Sequence, residues 1–187
     1  MLRAVLNHEF LARTIYPEPA KNLYASLEQL LSWDSHYWLQ RGSLEVEFGS
    51  IALAENFPSQ ARGLAPDDPF VDTEWAYLLF RKAIDNPRAA EALTYAGDAM
   101  AMLEGLIDRP GYIDSYPYHV LGSQGLAWAR RAVMGRAERG RLLTQILRRL
   151  EQAKTLFPHM AEIAQLYTDV RREYLMTAVE PQRPLFP

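Results

Sequence analysis

The chain has 187 residues, 49% of them apolar and 23% charged, with a net charge of −3; this leaves room for one ordinary domain or a short repeat array and excludes a disordered, collagenous or membrane-embedded chain. The lack of cysteine excludes thiol nucleophiles, disulfide scaffolds, cysteine zinc sites and iron–sulfur ligation. No apolar run approaches the ~20 residues that span a bilayer, and no basic region followed by an apolar block opens the chain, so the expectation is a cytoplasmic setting with no membrane partner.

Helical signals follow one another along the chain. The stripe Leu2, Val5, Leu6, Phe10 and Leu11 asks for a neighbour, which an intermolecular contact, a homodimer or an upstream domain would supply. Pro19 suits the first turn of a helix to about Leu31 that carries Leu23, Leu27, Leu30 and Leu31 along one side. Asp34 then caps a helix to about Phe48, Gly49 ends it, and Ser50 caps the next, which holds Leu53, Ala54, Phe57 and Ala61 before Pro66. Asp67-Asp68-Pro69 opens a helix with Trp75, Leu78, Leu79 and Ala83 at helical spacing. Asn86-Pro87 reads as another start, for a helix to about Ile107 along Ala89, Leu93, Ala96, Met100 and Leu103.

Arg109-Pro110-Gly111 is the clearest break, and residues 112–118 read as a loop. Helices over about 118–134, 138–156 and 160–178 complete the series, the middle one striped by Leu142, Leu143, Ile146, Leu147, Leu150 and Ala153. Residues 180–187 hold three prolines and read as an extended tail. Alternating β-branched runs are missing, so the fold class expected is all-α.

Charge divides along the chain. From Glu18 to Asp114 sixteen acids face seven bases, whereas from Tyr116 to Lys154 two acids, Glu138 and Glu151, face eight bases. This segregation marks two binding surfaces or lets neighbouring helices attract one another.

Helix pairs ended by proline at intervals of about 30–45 residues call for a test of internal repetition. Trp38-x3-Gly42-x6-Gly49-x4-Ala54-x6-Ala61-x4-Pro66 resembles the tetratricopeptide repeat at six of its characteristic positions. The chain departs from the family at Arg41, at Glu45 and at Phe57, which stands one residue early with Pro58 in its place; a proline there is expected to bend or loosen the second helix. Residues 69–107 and 118–158 resemble the family more weakly, through Trp75-x2-Leu78 and through Ala153-x4-Pro158 with Gly122 and Trp128. The resemblance implies a right-handed α-solenoid of antiparallel helix pairs over residues 1–179, its best repeat at 34–66 and a capping helix at 160–178. It also implies a non-catalytic module that takes a peptide or partner helix in a groove, as such arrays do in the sensor or scaffold parts of bacterial signalling and defence systems.

In that register His36, Leu39, Ser43, Val46 and Glu47 would face the groove. No lysine, arginine or asparagine stands there, which argues against the subtype of the family that grips a terminal carboxylate. Trp33, Tyr37 and Trp38 read as core, with one of them a candidate exposed anchor. Tyr112, Tyr116 and Tyr118 read as loop contacts. The alternative is a nucleic-acid-binding module using Arg130, Arg131, Arg141, Arg148 and Arg149, supported by Arg136, Arg139 and Lys154.

Catalysis has little to stand on. His8, His36, His119 and His159 lie far apart, without a second ligand at metal spacing. Glu45 and Glu47 point to different helix faces, no phosphate-binding glycine loop is present, and Ser43, Ser50 and Ser123 lack a nucleophile context. No metal, no cofactor and no enzymatic activity are expected.

Overall fold

A computed structural model describes residues 17–178. The N-terminal stripe and the proline-rich tail lie outside the described residues. Within them the protein is all-helical: nine helices and no strand. No described helix is long and apolar enough to cross a membrane. The chain forms two compact units that divide after Leu78.

The first unit holds α1 (Pro17–Leu31), α2 (Ser35–Phe48), α3 (Ile51–Ala54), α4 (Asn56–Leu64) and the start of α5 (Pro69–Asp85). Asp34 caps α2 as its sequence position promised, its carboxylate accepting from the His36 N–H at 2.9 Å. Asp68 does the same at the head of α5, for the Phe70 N–H. The core gathers Ala20 and Tyr24 of α1, Tyr37, Trp38, Leu39 and Leu44 of α2, then Ala61 and Val71. Inside it the Tyr37 hydroxyl donates to the Tyr24 carbonyl at 2.7 Å.

The helix expected between Ser50 and Pro66 is interrupted at Glu55, which keeps helical torsion angles, in line with the loosening expected of Pro58. Pro58 has no N–H to offer the Ala54 carbonyl and its ring crowds that oxygen; α3 stops at Ala54 and α4 restarts at Asn56. The pair α3–α4 runs antiparallel to α2, since Val46 packs with Ala54 at one end while Trp38 stacks on Phe57 further along. Gly42 lies at the closest approach, where a Cβ would stand 2.9 Å from the Pro58 ring.

The second unit holds the rest of α5, then α6 (Ala92–Ile107), α7 (Tyr116–Arg131), α8 (Arg136–Leu156) and α9 (Ala161–Ala178). Asn86-Pro87 does not start α6. The Asn86 carbonyl accepts from Ala89 and the Ala89 carbonyl from Ala92, so residues 86–91 form successive turns and the helix begins at Ala92. Its buried stripe is Ala92, Ala96, Ala99, Leu103, Leu106 and Ile107, and Leu93, expected inside, is exposed. The break at 109–111 is present, with Gly111 at φ +76° in the left-handed region that favours glycine.

α7 and α8 are antiparallel and α9 packs on both, around Leu126, Ala129, Leu143, Ile146, Leu150 and Val170. Two glycines of α7 admit side chains of α8. A Cβ on Gly122 would lie 3.0 Å from a Leu150 methyl, and one on Gly125 would lie 2.6 Å from Ile146 Cδ1. Ile146→Val removes that Cδ1 and nothing else. Gly125→Ala should therefore cost more in the natural chain than in an Ile146→Val background, by about 1 kcal/mol in a double-mutant cycle. Equal costs in chemical unfolding would show that the two residues do not meet.

Candidate partner-binding site

The five residues expected to line a groove on α2 do not form one surface. His36 and Glu47 are exposed and Ser43 is half-buried, but Leu39 and Val46 are interior, at 1% and 6% exposure. Helix α2 is covered on two sides: Leu39 packs in the cluster with α1, Val46 in the one with Ala54 and Leu78. His36 stacks on the Phe70 ring, 5.3 Å between centroids. Arg41 takes the place of a packing residue by laying its guanidinium 4.6 Å over the Phe57 ring, close to Trp38, while it pairs with Glu28. Tyr37 and Trp38 are core. Trp33 is the exposed one of the three aromatics, at 71%, its indole N–H donating to the Leu30 carbonyl.

Of the three tyrosines assigned to a loop, Tyr112 alone lies outside a helix, half-buried with its hydroxyl directed at Asp114. Tyr116 is the first residue of α7, its N–H bonded to the Asp114 carboxylate at 2.8 Å. Tyr118 is corrected from a surface contact to a core residue: it is 3% exposed and edge-on to Phe157. Burial holds its phenol above the usual range.

The basic region also divides. Arg149 turns inward, where its guanidinium forms two bonds to Asp108, at 2.7 and 2.6 Å, and lies 3.5 Å from Glu104. Those hydrogen bonds hold the Asp108 carboxyl below the usual carboxylate range. Arg130 is paired with Glu173 at 2.8 Å. Arg131, Arg141 and Arg148 remain on the exterior, the last two separated by two turns of α8 and so on one face.

That face borders a feature the sequence reading missed. The N-terminal half of α8 and the C-terminal end of α9 enclose an open cleft of about 570 Å³. Ala137, Gly140, Arg141 and Thr144 of α8 form one wall, at the i, i+3, i+4, i+7 spacing of a helix face, and Tyr174, Thr177 and Ala178 of α9 form the other. Arg136 closes one end, donating through Nε to the Thr177 carbonyl at 2.6 Å and through a terminal nitrogen to that of Ala178. A smaller cleft of about 360 Å³, bordered by Arg139 and Glu173, adjoins it and shares Arg136 and Thr177. The sequence signal was Gly140 on the outer face of a strongly helical run. Nothing stands within 4 Å of where its Cβ would be, so this glycine serves no packing contact and leaves space instead.

The result is a trough walled largely by small side chains and one tyrosine, with guanidinium groups at its rim. Such a surface accommodates an apolar side chain flanked by carboxylates. Among the described residues no three His, Asp or Glu side chains converge as metal ligands. The chain matches no protein-family model, no curated protein and no solved structure.

Proposed function

We propose that this is a cytoplasmic, non-catalytic protein-binding module built from tetratricopeptide-like helix pairs, and that it binds a partner segment in the α8–α9 cleft. The observation that carries the reading is that cleft, open and small-walled, with the exposed Arg141 on its rim. The helix-pair reading draws support from the antiparallel run of α2 against α3–α4 with Gly42 at the contact, and from the glycines of α7 against α8. The partner is a protein segment presenting an apolar residue beside acids, and Arg141 fixes its orientation.

Gly140→Leu is the direct test. A Cβ there meets nothing within 4 Å, the rest of the leucine side chain extends into the trough, and glycine is replaced inside a helix, so helicity and stability should hold or rise. Tagged natural and Gly140→Leu chains are passed through nuclease-treated and untreated host lysate, and bound proteins are quantified by mass spectrometry. A discrete partner that survives nuclease and falls at least tenfold with Gly140→Leu is expected. Full retention by that variant would dismiss the cleft, and loss after nuclease alone would move the reading to the nucleic-acid alternative carried by Arg131, Arg141 and Arg148.

A further inference from the structure

The cleft lies where α9 ends. In a continuing helix the Thr177 carbonyl would accept from the N–H of residue 181, which is a proline and has none. Arg136 of α8 supplies the missing donor, and with its second bond to Ala178 it holds the last turn of α9 against the cleft. The chain is thereby delivered to the mouth of the trough at Ala178, itself a lining residue.

The segment that follows, Val179-Glu180-Pro181-Gln182-Arg183-Pro184-Leu185-Phe186-Pro187, has the composition the trough asks for. It offers a carboxylate at Glu180 for a rim where Arg141 has no ion-pair partner among the described residues, and two adjacent large apolar side chains, Leu185 and Phe186, for the small-walled floor. Its prolines lower the entropy lost on binding in an extended form. Nine residues reach up to about 30 Å, while the cleft wall from Arg136 to Thr144 is about 12 Å long. Resting on the reading of the cleft as the partner site, we propose that residues 180–187 of the same chain are its resident occupant, a tethered ligand that an incoming segment must displace. Tethering gives the tail a local concentration in the millimolar range, so weak contacts suffice to hold it and a better partner can still compete.

The chain has no cysteine, so two introduced ones form the sole possible disulfide. Thr144→Cys with Pro187→Cys places one thiol in the cleft and one on the tail, and leaves Leu185 and Phe186 in place. Val133→Cys with Pro187→Cys serves as the control, because Val133 is 72% exposed, adjoins Met134, which borders the smaller cleft together with Thr177, and is absent from the wall of the larger cleft. Under mild oxidation the first pair should close within one chain at least ten times faster than the second, and adding Gly140→Leu should abolish the difference. Equal rates, or cross-links found between two copies instead, overturn the proposal. Cleft-dependent partner capture without preferential cross-linking would leave the binding reading standing and remove the tail. Preferential cross-linking without cleft-dependent capture would do the reverse, leaving an intramolecular dock.

Discussion

Replacing Ile146 with alanine should lower the unfolding free energy by about 3–4 kcal/mol, in the middle of the range for large-to-small changes at buried aliphatic sites. Ile146 is fully buried among Leu126, Leu143, Leu150 and Val170. Its δ-methyl reaches into the notch above Gly125, and a glycine has no side chain with which to fill the space left behind. The lost contacts and the uncollapsed cavity therefore add. Urea unfolding followed by helical circular dichroism measures the change, with Leu156→Ala, at a residue 45% exposed, expected to cost less than about 1 kcal/mol. A cost below 1 kcal/mol at Ile146 would mean that α7 and α8 do not pack in this register.

The pair of Asp108 and Arg149 should respond asymmetrically. The Arg149 side chain is 10% exposed and the Asp108 side chain 58%. Deleting the acid strands a buried guanidinium with only the more distant Glu104 and Gln152 beside it, whereas deleting the base releases a carboxylate that water can already reach. Asp108→Ala should therefore destabilise by about 2 kcal/mol, while Arg149→Met, which keeps the apolar stem, should stay within about 1 kcal/mol of the natural chain. Acid adds a check of sign. Asp108 titrates below its ordinary value in the folded chain, so its contribution is complete above the unfolded value of about 3.9 and is lost as the pH falls through the lowered one. The natural chain should lose its advantage over Asp108→Ala in that window. A larger loss from Arg149→Met than from Asp108→Ala would refute the asymmetry.

Much of the helical framework was legible because its punctuation is local. Asp34 and Asp68 each cap through a side chain bonded two residues on, and Pro58 interrupts a helix by chemistry that needs no tertiary context. Asn86-Pro87 carried a similar local signal and became a turn, since i→i+3 bonds satisfied its backbone instead. The site was far less legible. Nothing in residues 35–48 states that neighbours cover α2 on two sides, so Leu39 and Val46 could be read as groove residues. Arg148 and Arg149 are adjacent letters in the sequence, yet the 100° step between them sends one outward and the other to Asp108. The α8–α9 cleft depends on the missing side chain of Gly140, and an unfilled space leaves only a faint mark in a sequence.

The two notches of α7 settle a question of alignment. Gly122 receives Leu150 and Gly125 receives Ile146, three residues along one helix answering four along the other. Shifting α7 by one residue, a turn of about 100° with a rise of about 1.5 Å, would present Ser123 and Leu126 to the same two side chains, closing both notches at once. The helices therefore fit in one phase and reject its nearest neighbours, much as a key with two cuts turns in one lock, so the sequence specifies the phase as well as the helices that share it.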